Sequence, residues 1–294
     1  MAEEDICPDY GLRPLWDALY EIYAEFAKVC DRHGLRYYAF AGTLLGAIRH
    51  NGFIPWDDDL DVAMPRPDYE RFIEIAQKEL PEHLKFVYWK NTPEFNYLFG
   101  KIQDSRKDVV LMLEQSSGSM LSNGIYIDIF PIDGYPQGKL YRTFIKYRDL
   151  FLLPIERFHL YAWKHLSKRG KLVWVIGSVV SLIVPWLRTQ RQFMLLHERV
   201  LKQTPYEDSE LVSDVGLRYN VLSQPVLPKE AWGKQTIRSF YGNQIAIQQD
   251  PIKYLQQKFG DYMKLPPKKS RHPSHQYSWR CAWWLGPTKP DGNG

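Results

Sequence analysis

Between Asp57 and Asp61 the chain sets four carboxylates in five residues, Asp57-Asp58-Asp59-Leu60-Asp61. The neighbours are Phe53, Ile54, Pro55, Trp56, Val62 and Met64, which is not the setting of a solvated acidic loop. If Trp56 to Met64 is a strand, its side chains alternate between two faces. Asp57, Asp59 and Asp61 then share one face, while Asp58 points the other way with Leu60 and Val62. Three like charges on one partly buried face repel, and more strongly as water is removed. A divalent cation relieves that repulsion, and hard carboxylate oxygens suit Mg²⁺. A further acid, Asp128, stands alone in the apolar run Ile125-Tyr-Ile-Asp-Ile-Phe-Pro131. A carboxylate in such a strand needs a partner or a metal.

The elements that must position these acids follow from periodicity. Leu12, Leu15, Leu19, Ile22, Phe26, Val29 and Cys30 recur at helical spacing, so Leu12 to Cys30 is predicted as an amphipathic helix closed by Gly34. Arg36 to Ala41 reads as a short strand, Gly42-Thr43 as a turn and Leu44 to His50 as a short helix. The acidic strand comes next, ended by Pro65, and Asp68 to Leu80 reads as a second amphipathic helix. Leu84–Trp89, Tyr97–Gln103, Val109–Leu113 and Ile125–Phe130 are predicted strands. This order implies an α/β (α+β) fold, a mixed sheet with flanking helices.

The chain of 294 residues is 45% hydrophobic, enough for one large domain or two small ones. The division expected is a catalytic core at 1–138, a helical basic and aromatic subdomain at 139–204, a region at 205–286 packing back on the core, and a disordered tail at 287–294. The net charge of +4 conceals an asymmetry. Lys139 to Lys202 holds 13 Lys/Arg and 3 Asp/Glu, a balance of +10 that leaves −6 for the rest. The longest apolar run, 172–187, lies in the same segment and is shorter than the roughly 20 residues that span a bilayer. Two readings stand for it: a surface lying on an anionic membrane, or a buried core helix with basic flanks. Aromatic and apolar richness favours membrane or lipid-linked ligands over nucleic acid. Cys7, Cys30 and Cys281 show neither metal-ligand spacing nor a disulfide framework, as in a reducing compartment. The acidic N-terminus has no signal-peptide character. The expected location is cytoplasmic, at the inner face of the membrane.

The stretch from Ala41 to Tyr69, Ala-Gly-Thr-Leu-Leu-Gly-Ala-Ile-Arg-His-Asn-Gly-Phe-Ile-Pro-Trp-Asp-Asp-Asp-Leu-Asp-Val-Ala-Met-Pro-Arg-Pro-Asp-Tyr, resembles the LicD family. Ile127-Asp-Ile-Phe-Pro-Ile-Asp133 and Phe259-Gly-Asp-Tyr-Met-Lys-Leu-Pro-Pro267 are further similar segments. The resemblance implies a nucleotidyltransferase-like fold and transfer of phosphocholine from CDP-choline to a sugar hydroxyl of a cell-surface polymer, such as a teichoic acid or lipopolysaccharide precursor. Fukutin-like relatives imply the alternative of ribitol phosphate from CDP-ribitol; glycerol phosphate is a parallel case. A non-catalytic glycan- or nucleotide-binding protein is the reading from another class, and the intact motifs oppose it.

Carried over by position, Asp59 and Asp61 are the Asp-x-Asp metal ligands and Asp128 is the third acid, as ligand or as acceptor of the attacking hydroxyl's proton. Asp57 shares or tunes the site, with one or two Mg²⁺ ions expected. Gly42 and Thr43 would offer a backbone N–H and a hydroxyl to phosphate at a helix start, or form a plain turn. Arg49 is a phosphate fork or a surface ion pair, and Lys101 a donor-phosphate contact or a solvated lysine. Asp58 is expected to face away from the metal. His50 and Trp56 are expected to pack, Arg106 is a weaker candidate than Lys101, and His272 and His275 either close over the nucleotide or lie in a surface tail.

Overall fold

The computed structural model describes residues 11–92, 95, 97–106, 124–138, 143, 155, 158, 168–184, 189–214 and 225–273. Its centre is a mixed sheet in the order β1-β2-β5-β4-β3, formed by β1 (Tyr38–Ala39), β2 (Asp61–Pro65), β5 (Tyr126–Tyr135), β4 (Gly100–Asp104) and β3 (Leu84–Val87). β2 and β5 run parallel; the other pairs are antiparallel. The far end of β5 pairs antiparallel with β6 (Leu211–Ser213), which pairs with β7 (Val226–Pro228). Pleating gives each strand two faces. Val62, Met64, Ile102, Ile127, Ile129 and Phe86 are all buried.

Helix α1 (Arg13–Arg32) lies against β4 and β5, and α3 (Arg66–Glu79) against β2, β3 and β5. Their apolar stripes meet at Phe26 and Phe72, whose rings are 5.1 Å apart, and Phe72 meets Phe86 of β3 at 5.3 Å. Helix α1 carries Pro14 in its first turn, where the missing N–H costs nothing. Gly34, at φ +60, takes the left-handed conformation that turns the chain toward β1.

Helix α2 (Ala41–Arg49) follows β1 directly and packs on β2. A Cβ on Gly46 would lie 2.4 Å from the Gly52 carbonyl, so only glycine lets this helix and the 50–54 loop approach so closely. Helices α4 (Lys168–Ile183) and α5 (Gln190–Leu201) are the described part of the basic segment. Thr189 caps α5, accepting from the Gln192 N–H at 3.2 Å while the Gln192 side chain returns to the Thr189 N–H. Lys202–Glu70 and Lys90–Glu198 ion pairs, both 2.7 Å, tie this helix to the core.

The region from Pro205 holds more regular structure than its polar sequence suggests. Besides β6 and β7 it contributes α6 (Lys229–Trp232), the hairpin β8 (Thr236–Phe240) and β9 (Asn243–Ile247), and α7 (Pro251–Phe259). Tyr241 and Gly242, at φ +50 and +72, make the tight connection of the hairpin. The hairpin braces α2 and the loop before the acidic run: Tyr241 N–H at its tip donates to the Asn51 carbonyl at 2.8 Å, and Arg238 Nε of β8 to the Ala47 carbonyl of α2 at 3.0 Å. The predicted strand Val109–Leu113, His275 and the 287–294 tail fall outside the described residues.

Candidate functional site

The acidic run is strand only at its end. Pro55-Trp56 form a turn, residues 57–60 have no regular secondary structure, and β2 starts at Asp61, five residues later than the predicted start at Trp56. The backbone bonds of the run go elsewhere. Asp57 N–H donates to the Ile54 carbonyl at 2.8 Å, and Trp16 Nε1 donates to the Asp57 carbonyl at 2.8 Å. The Leu60 carbonyl accepts from Asp128 N–H at 3.1 Å, and Asp61 N–H donates to Thr43 Oγ1 at 2.8 Å. Alternation survives without the ladder: Asp58 and Leu60 are buried, and Asp57, Asp59 and Asp61 are half-buried.

The parallel register sets Asp61 directly beside Asp128, and the antiparallel register sets Asp128 beside Lys101. A row of acid, acid and cation thus crosses three strands. Lys101 Nζ is 2.6 Å from Asp128 Oδ1. Lys101 is not the solvated lysine of one reading, being only 7% exposed. Its ammonium lies 3.5 Å from the Tyr126 ring centroid and within 6 Å of those of Phe99 and Tyr97. Burial, the largest single influence, pulls its pKa down, but the Asp128 charge and hydrogen bond together with Tyr126 and Tyr97 outweigh it and the net shift is upward.

Asp57, Asp58 and Asp59 each offer a carboxylate oxygen, all within 4.8 Å of one another. Asp58, expected to face away, therefore joins the cluster although its side chain is buried. The run is bent by the Pro55-Trp56 turn and is not held flat by a ladder, so strict two-face geometry does not apply to it. Burial, then the charges of Asp59 and Asp58, push the Asp57 carboxyl well above the usual carboxylate range, and Asp57 hydrogen-bonds Asp59. Asp61 is pushed up likewise, by burial first and then by Asp59, Asp128 and Asp57. Carboxylates crowded this closely repel one another, and a bound cation would relieve that repulsion. The oxygen-only donor set and its charge suit Mg²⁺.

Gly42 and Thr43 occupy the first turn of α2 rather than a separate turn before it. Ala41, which opens that turn, has φ +43, a strained value for a residue with a side chain. A Cβ at Gly42 would lie 2.6 Å from Asp57 Oδ2, so the glycine makes room for the carboxylate. Thr43 is 2% exposed, and its hydroxyl oxygen accepts from the Asp61 backbone. Its observed work is to hold Asp61.

Arg49 Nη1 donates to the Tyr262 carbonyl at 2.7 Å, and Nε to His50 Nε2 at 2.9 Å. The guanidinium therefore ties α2 to the segment after α7 and is not a surface ion pair. His50 is lowered to about 4, by burial first and then by Arg49, and its ring meets Trp56 edge-on at 6.3 Å. Trp56 is packed at 9% exposure, with the Arg271 guanidinium 5.8 Å from its ring. Arg106 is engaged by Asp104 and Glu21, both at 2.8 Å. His272 is exposed.

Three features escaped sequence reasoning. Arg66 grips Asp133 through two bonds, Nε–Oδ1 at 2.6 Å and Nη2–Oδ2 at 2.7 Å, with the two residues 7% and 1% exposed. Asp133 closes the Ile127–Asp133 segment, so its presence was legible while its partner was not. Arg271 lies just beyond the Phe259–Pro267 segment. Asp214 is buried, neither carboxylate oxygen has a hydrogen-bond partner among the described residues, and burial raises it to about 6.

Residues 34–160 match the family described as LicD/FKTN/FKRP, nucleotidyltransferase domain. The chain is 29% identical over 253 residues to the lipopolysaccharide cholinephosphotransferase LicD of Haemophilus influenzae, covering 85% of this chain and 90% of that one. An uncharacterized protein of Rickettsia prowazekii is 27% identical over 142 residues, covering 48% of this chain and 46% of its own.

Proposed function

The chain carries a LicD-family nucleotidyltransferase domain, and on that premise we propose that it is a phosphotransferase moving phosphocholine from CDP-choline to a hydroxyl of a lipopolysaccharide-type surface glycan. The observation that carries the reading is the Asp61–Asp128 juxtaposition across β2 and β5, with Asp59 and Asp57 near enough for their charges to push the Asp61 carboxyl up. The extent of similarity to the Haemophilus protein supports the choline and glycan assignments. A teichoic acid precursor is the same reaction class on another polymer.

In the proposed reaction an acceptor hydroxyl oxygen attacks the phosphorus that bears choline. The P–O bond to the cytidylyl group breaks, and CMP leaves with the electron pair. Asp59, Asp61 and Asp128, with Asp57, would hold Mg²⁺, which neutralises pyrophosphate charge as it shifts to the leaving group. Asp128 would accept the hydroxyl proton, with Lys101 Nζ, 2.6 Å from its Oδ1, fixing its orientation and balancing its charge. Gly42 gives Asp57 the space to turn inward. Such transfer rests on positioning and charge stabilisation, so no covalent intermediate with the protein is needed. The aromatic cage of Tyr97, Phe99 and Tyr126 is filled by the Lys101 ammonium. The choline assignment therefore rests on the relative and not on that cage.

The test is product mass spectrometry after incubation with CDP-choline, CDP-ribitol or CDP-glycerol, each with Mg²⁺ and a lipopolysaccharide acceptor. CMP and a phosphocholine adduct are expected with CDP-choline alone. Asp59→Asn and Asp61→Asn should abolish both products while the protein stays folded. CMP release from none of the donors, or full activity in either variant, would overturn the reading.

A further inference from the structure

Helix α4 is docked on one side only. Gly177 and Ser181 are buried, and Val180 and Val184, the latter just past the helix end, pack against the core. On the other side Leu172, Val175, Ile176, Val179, Leu182 and Ile183 are 63, 42, 47, 49, 70 and 72% exposed. At about 100° per residue these six fall in one stripe roughly 120° wide. Lys168, also exposed, lies in line with the stripe, and Lys171 sits at its edge. Scattered surface aliphatics are ordinary, but six in a single stripe mark a surface that something apolar covers.

Charge selects the occupant. From Arg157 to His197 the chain has seven Lys/Arg and no Asp or Glu. A second copy would bring the same positive field to the interface and be repelled. A surface of anionic lipid headgroups is attracted, and its acyl chains accept the aliphatic stripe. The described helix runs 16 residues, about 24 Å, and no helix among the described residues is long and apolar enough to cross a membrane. The docked side is apolar as well, and the charges Lys168, Arg169 and Lys171 gather at one end of the helix; held to the core by that side, the helix presents only the Leu172–Ile183 stripe, which can enter the headgroup boundary without the helix crossing.

The geometry points to α4 as a peripheral anchor whose Leu172–Ile183 stripe inserts into an anionic bilayer surface, with Lys168 and Lys171 at the phosphates. The inference does not depend on the donor: vesicle binding and transfer chemistry fail separately.

The test is co-sedimentation of the full chain with phosphatidylglycerol–phosphatidylcholine vesicles and with phosphatidylcholine vesicles. Binding is expected to the first, weakened by salt, and not to the second. Leu172→Ser/Val179→Ser/Leu182→Ser should bind at least about tenfold more weakly, with the thermal melt unchanged because these side chains are exposed. Lys168→Glu/Lys171→Glu, an independent variant that leaves the stripe intact, should lose about fivefold per charge or more. Three results would each overturn the proposal: no sedimentation of the parent chain with anionic vesicles, equal sedimentation of parent and both variants, or a dimer that the serine variant dissociates without change in vesicle binding.

Discussion

Asp133→Asn removes one half of a buried ion pair and leaves Arg66 charged and nearly sealed from water. The parent contact is bidentate, at 2.6 and 2.7 Å, between groups 7% and 1% exposed. Burial alone would lower the Arg66 pKa, yet the Asp133 carboxylate reverses the sign and holds it above the usual guanidinium value. Stranding one partner of such a pair costs about 3–5 kcal/mol. Glu70, 3.4 Å from Arg66 Nη1, remains as a partial partner and points to the lower end of that range. At about 2 °C per kcal/mol for a chain of this size, the melting temperature should fall by roughly 6–10 °C. Arg66→Met should do similar damage by stranding Asp133. The double variant Arg66→Met/Asp133→Leu strands nothing and should recover most of the loss, a coupling of about 2 kcal/mol or more. Arg66 opens α3 directly after β2, and Asp133 lies on β5 five residues past Asp128. The pair thus clamps the two strands whose register brings Asp61 to Asp128, and transfer activity should fall with stability and return with it. Calorimetry and urea denaturation of the four proteins form the assay. Strict additivity, or an Asp133→Asn melt within about 1 °C of the parent, as a surface change would give, refutes the reasoning.

Gly42→Ala puts a methyl group 2.6 Å from Asp57 Oδ2; kcat should drop by about 100-fold, as for an ångström-scale misplacement, with the melting temperature unchanged or raised, and unaltered kcat counts against it. Asp214, raised to about 6 by burial, keeps a proton that the unfolded chain releases near pH 4, so its cost to stability grows as pH rises from about 4 to 6 and is complete above. Asp214→Asn should be close to neutral near pH 4 and stabilising by roughly 3 kcal/mol near pH 8, read from urea midpoints at the two pH values; a destabilised variant near pH 8 would contradict this. Asp57 and Asp61 are also raised, so rising pH weakens the metal-free fold. Mg²⁺ replaces the retained protons, and its thermal shift should be larger near pH 8 than near pH 5 and be reversed by a chelator; equal shifts would argue against a carboxylate site.

Local periodicity carried far into the fold. Helices α1 and α3 were legible from apolar spacing within a residue or two, because each buries one continuous stripe. Strands β3, β4 and β5 were legible from their apolar residues, and the solitary acid in β5 marked Asp128 as a site residue. The alternation of Asp57, Asp59 and Asp61 against Asp58 and Leu60 held in burial, though not in the carboxylate directions. The hairpin of β8 and β9 went unread because its apolar residues, Ile237, Phe240, Ile245, Ala246 and Ile247, do not alternate regularly with polar ones along either strand, and its clearest signal was the Tyr241-Gly242 turn. The apolar run at 172–187 left two readings open, since a stripe facing solvent and one facing the core are composed alike.

By itself the sequence determined which side chains could do chemistry, and that four acids in five residues had to be neutralised by something. Local spacing suffices for that, because charge density and face alternation are properties of a short segment. Only the tertiary structure decided who meets whom. Asp61 reaches Asp128, and Asp128 reaches Lys101, through strand registers; Arg66 reaches Asp133 across 67 residues; and Thr43 turns out to hold the Asp61 backbone. Those pairings are long-range choices made by packing the sheet against α1 and α3, and no local pattern encodes them.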